Sequence, residues 1–70
     1  MIWIFERAGK TSKLEVLYLA PDKYEVRFVD PDGLDRIEPF TNEADAWARQ
    51  KDLELGLAEQ GWTRTAGWTL

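Results

Sequence analysis

The side chains here that can hold a proton, a metal or a phosphate are almost all carboxylates and arginines. The chain contains 13 Asp+Glu and 9 Lys+Arg, with no His and no Cys. Without His it lacks the usual general base near neutral pH and the commonest nitrogen ligand for metals. Without Cys it has no thiolate nucleophile, no thiolate metal site and no disulfide. The carboxylate pairs Asp22/Glu25 and Asp35/Glu38 carry acid–base groups, yet nothing in their spacing makes either pair converge on one point. We read the chain as non-enzymatic, with no cofactor.

One segment resembles the opening of a calcium loop, Asp30-Pro31-Asp32-Gly33-Leu34-Asp35. An EF-hand loop needs Gly directly after its third ligand and Glu at position 12, where this chain has Thr41. Turn chemistry accounts for the same residues: Pro presets φ at the first corner, Asp bonds its own backbone, and Gly supplies positive φ. We assign no metal.

A third chemistry is base stacking. Single-strand binders lay bases on aromatic side chains of a sheet, flanked by cations. Trp3 and Phe5 share a strand face with Arg7, and Lys10, Lys13 and Arg27 lie near in sequence or across the sheet. The net charge of −4 opposes the phosphate term that dominates non-specific affinity. Nucleic acid is therefore the second reading, behind packing of these aromatics in a core or an interface.

The elements that must position these residues are legible. Ile2–Arg7 is β-branched and aromatic, and a loop over Ala8–Ser12 leads to a second strand over Leu14–Leu19. Ala20-Pro21-Asp22-Lys23 is a turn, Tyr24–Phe28 alternates as a half-buried strand, and Asp30–Gly33 predicts a bulged hairpin. Leu34–Glu38 is a fourth strand closed by Pro39. A helix starts at Thr41 or Asn42, with Glu43 and Asp45 in its first turn, and runs to about Gln60 before Gly61. Trp62–Leu70 forms an extra edge strand or a tail.

The segment Ile37-Glu38-Pro39-Phe40-Thr41-Asn42-Glu43-Ala44, leading through the helix to Gly61-Trp62, resembles the second half of the WGR domain. That family is a small sheet-plus-helix module of nucleic-acid-related proteins. The likeness covers about a third of the chain and carries over no functional residue. The Trp-Gly-Arg tripeptide is absent, and strand three offers Phe28-Val29-Asp30 instead. The chain is also similar to short bacterial proteins of unassigned function with a strand-rich half followed by one helix.

The expected fold is α+β, residues 1–70 forming a single domain. It is a four-stranded antiparallel meander with one C-terminal helix packed on one face, ββββα, plus the extra strand or tail. Such a domain buries only about 60% of its unfolded surface, and its core supplies roughly 3–5 kcal/mol net. Its apolar surface exceeds what one helix can cover. Around the helix, Ala46, Leu53 and Leu57 fall in one arc, while Ala44, Trp47, Ala48, Leu55 and Ala58 occupy the opposite side. In the sheet, Ile2 and Ile4 oppose Trp3 and Phe5, and Leu17 and Leu19 oppose Val16 and Tyr18. The surface expected to carry function is Trp3, Phe5, Arg7, Leu17, Leu19, Trp47, Leu55, Trp62 and Trp68. Its expected use is self-association as a homodimer, in the cytoplasm and away from membranes.

Overall fold

The computed structural model describes residues 1–68, with side-chain surroundings defined as far as Thr65. The elements are β1 (Ile2–Arg7), β2 (Lys10–Ala20), β3 (Lys23–Val29), β4 (Asp35–Phe40), α1 (Glu43–Glu59) and β5 (Thr63–Trp68). They form one antiparallel sheet in the order β4-β3-β2-β1-β5, with the helix against one face. This is the α+β meander the sequence implies, and the segment after the helix adds a fifth strand. Trp62 and the strand that follows do not cross the second face of the sheet. β5 pairs instead with β1, Ile2 opposite Trp68 and Glu6 opposite Thr63.

Turn chemistry sets the register of the meander. Ala8 and Gly9 both have positive φ (50° and 78°), the requirement of a two-residue type I′ turn, so Arg7 pairs directly with Lys10. The expected five-residue loop over Ala8–Ser12 is thus a tight hairpin, and β2 begins four residues earlier than Leu14. At the next corner Pro21 precedes Asp22 at φ 62°, joining Ala20 to Lys23. The third corner is the expected one. Gly33 N–H donates to Asp30 C=O at 2.9 Å, and Asp30 Oδ1 accepts from the N–H groups of Asp32 and Leu34 at 3.0 Å each. Pro39 does not end β4, which runs on to Phe40. An edge strand has one side without ladder partners, so the missing N–H is tolerated there.

Both ends of α1 are closed. Asn42 Oδ1 accepts from Asp45 N–H at 2.9 Å. At the other end Gly61 at φ 87° lets its N–H reach Ala58 C=O, while Trp62 N–H reaches Leu57 C=O, each at 3.0 Å. These two bonds form a Schellman motif, and the buried Trp62 and Leu57 are its apolar pair.

The path of α1 follows from its connections. β4 and β5 run in the same direction at opposite edges, so the chain must cross the sheet between them. Four strand spacings make about 19 Å, and 17 helical residues make about 25 Å. The helix therefore lies obliquely, from the Phe40–Tyr24 corner to the end of β1. Ala46, Gln50 and Leu57 are buried beneath it and Leu53 is half-buried, so the Ala46/Leu53/Leu57 arc faces the sheet. Leu55, on the far side, is 57% exposed. Trp47 lies on the flank and meets Trp3 edge to face, ring centroids 5.7 Å apart. The core is Trp3, Phe5, Leu14, Val16 and Val26 of the sheet against this arc.

Leu57→Ala is expected to cost roughly 2–5 kcal/mol by opening a cavity, and Leu55→Ala about 0.5 kcal/mol or less. Urea denaturation of the two variants checks this; equal costs would contradict the orientation of α1.

Candidate interaction surface

The nine residues singled out from sequence do not share one surface. Trp3 (5% exposed), Phe5 (2%) and Trp62 lie in the core under α1. Bases could stack on Trp3 and Phe5 only if the helix moved away. Leu55 and the flanking Trp47 belong to the helix, and Leu17 and Leu19 to the other half of β2. The side chain of Trp68 lies outside the described residues, as does Leu70.

Arg7 has a structural role that its position in a rim of cations concealed. The last turn of α1 contains no basic residue. Arg7, from the end of β1, reaches across so that its Nη1 donates to Gln60 C=O at 2.6 Å, and its guanidinium lies 5.3 Å from the centre of the Trp62 ring. It supplies the positive charge that the helix C-terminus favours, and a cation–π contact with the residue that closes the helix.

The helix-free face of the sheet follows from strand alternation and register. Ile2 and Ile4 of β1, Lys13, Glu15 and Leu17 of β2, Glu25, Arg27 and Val29 of β3, and Ile37 of β4 all project there. Its centre is charged and largely neutralised. Lys13 Nζ lies 2.9 Å from Glu15 Oε1, Glu15 is Cα-paired with Arg27, and Leu17 with Glu25. Arg27 Nε forms a 3.5 Å ion pair with Asp35 Oδ1 but no hydrogen bond among the described residues. Around these charges lie Ile2, Ile4, Leu17 and Val29, all half-buried, and Ile37, which is exposed. Of the surface expected from sequence, Leu17 alone has its described side chain on this face. The missing signal was the Ala8-Gly9 turn, whose tight register aligns Ile2 and Ile4 with Glu15 and Lys13.

The helix side keeps two uncovered corners. One is bordered by Met1, Val16, Tyr18, Tyr24, Glu43 and Trp47. Here partial burial of the Tyr24 phenol, reinforced by negative charge at Glu43, raises its pKa above the usual tyrosine value. The other corner lies between β4 and the second half of α1, where Arg49 Nε donates to both oxygens of Glu38 at 3.1 and 3.0 Å. Among the described residues no three acidic side chains cluster to hold a metal ion. No family model matches this chain, and neither a curated protein nor a solved structure shows similarity to it.

Arg7→Met, which keeps the apolar stem, is expected to lower stability by about 1 kcal/mol through loss of the capping charge. The loss should shrink in high salt. An unchanged urea midpoint would mean that Arg7 adds nothing to the helix end.

Proposed function

We propose that the chain is a non-enzymatic interaction module that pairs with a second copy of itself through the helix-free face of its sheet. The observation that carries this reading is the composition of that face. Ile2, Ile4, Leu17, Val29 and Ile37 surround a centre that carries both signs of charge, Lys13 and Arg27 against Glu15, Glu25 and Asp35. A two-fold interface sets a patch against itself, so a face must be self-complementary in charge to use one. Charges of both signs on neighbouring strands permit that, whereas a single-sign centre would not. Packing two sheets face to face also removes the remaining apolar side chains from water, the dominant favourable term in most associations. The part of the Trp3 face that a nucleic acid would use is occupied by α1, and the described side chains of the helix-free face include no aromatic ring. We also read the module as cytoplasmic; among the described residues no helix is long and apolar enough to cross a membrane.

Sedimentation equilibrium tests the reading. The chain should dimerise at micromolar concentration. Leu17→Lys, which gains Glu25 as a cross-strand partner and so retains its fold, should weaken the dimer by at least about tenfold. Leu55→Lys, on the outer side of α1, should leave it unchanged. A chain that stays monomeric at high concentration, or a dimer broken by Leu55→Lys and not by Leu17→Lys, would overturn the proposal.

A further inference from the structure

The corner left open between β4 and the second half of α1 is a cleft of about 390 Å³, within the range of small-ligand sites. Phe28, Leu53, Leu57 and Trp62 supply its apolar walls. Two further residues that border it weaken the fold without structural return. Gly56 stands in the interior of α1, where glycine is among the poorest helix formers, yet a Cβ built there meets no atom within 4 Å. No close approach therefore requires glycine at that position. Ser12 is 1% exposed, and its hydroxyl has no hydrogen-bond partner among the described residues. Buried polar atoms are nearly always paired, so an orphaned hydroxyl beside a cleft calls for an explanation. Departures from local rules gather at functional sites, and these two border the same space.

We propose that this cleft binds a small ligand with an apolar body and a single carboxylate. The polar groups around it select that chemistry by elimination. Glu38 is held by Arg49 Nε, and Asp30 Oδ1 is taken by two backbone N–H groups of its own turn. Arg36, on the edge strand, forms no ion pair among the described residues, which leaves a guanidinium fork suited to bidentate binding of a carboxylate. Asp52, also without an ion pair among the described residues, opposes any anion in the cleft and a phosphate dianion about twice as strongly as a carboxylate. The body of the ligand lies against Phe28 and Leu53 in the space that any side chain at position 56 would enter.

Titration of the ¹⁵N-labelled chain with 3-phenylpropionate, and separately with its neutral amide, tests the assignment. Saturable shifts of the Phe28, Gly56 and Leu57 amides are expected for the acid, with the amide at least about tenfold weaker. Arg36→Gln should reduce binding of the acid to that of the amide. Gly56→Leu should raise the melting temperature and abolish binding, which separates a filled cleft from a misfolded protein. Non-saturating shifts, equal binding of acid and amide, or undiminished binding by Gly56→Leu would each overturn the proposal.

Discussion

A single helix has to cover a five-stranded sheet while carrying the chain from one edge to the other, and most of the molecule follows from that constraint. The helix is longer than the sheet is wide, so it lies obliquely and spends its apolar arc on the middle strands. Trp3, Phe5, Leu14, Val16 and Val26 are buried by it. The two corners that it misses become clefts, and the whole opposite face has no described cover. Covered core, open corners and open face are three results of one geometric shortfall.

Because so much depends on α1, its ends are fastened with more than local propensity. Asn42 closes the start, and the Schellman bonds through Gly61 close the finish. Arg7 then ties the finish to β1, and Trp47 meets Trp3 on the flank. Gln50, buried in the middle of the helix, donates its Nε2 to Glu54 at 2.8 Å, so the one polar side chain in the sheet-facing arc is satisfied. A small domain without disulfides depends on such closures, since each is a sizeable share of a net stability of only a few kcal/mol.

The elements were legible wherever a residue has one structural use. Asp30-Pro31-Asp32-Gly33 has a single economical conformation, and it adopts the expected bulged turn. Asn42 and Gly61 mark the helix ends for the same reason. The tight hairpin at Ala8-Gly9 was hidden because Ala resists positive φ; Asn or Asp at that position would have announced it. Pro39 suggested a strand end because its position on an edge is a tertiary fact. The surface was harder to read still. In β1 both faces are apolar, Ile2 and Ile4 against Trp3 and Phe5, so alternation separates the faces without saying which one meets the helix. Only the sheet order and the path of α1 decide that. Arg7 looked like a solvated cation because its partners, Gln60 and Trp62, are more than 50 residues away. Gly56 and Ser12 carried no signal in sequence, since each is ordinary until its surroundings are known.

The absence of native cysteine makes the central claim directly measurable, because a single introduced thiol reports one position alone. Val16 and Leu17 are neighbours on β2 and point to opposite faces of the sheet. Thiol-labelling rates of Val16→Cys and Leu17→Cys, followed from dilute to concentrated protein, compare the two faces. The account predicts that Cys at 16, buried but beside the Trp47 corner, reacts more slowly than Cys at 17 in dilute solution and at a rate that does not change with concentration. It predicts that Cys at 17 reacts rapidly in dilute solution and becomes protected as the protein is concentrated. Labelling at 16 as rapid as at 17 in dilute solution, or labelling at 17 that never changes with concentration, would contradict it.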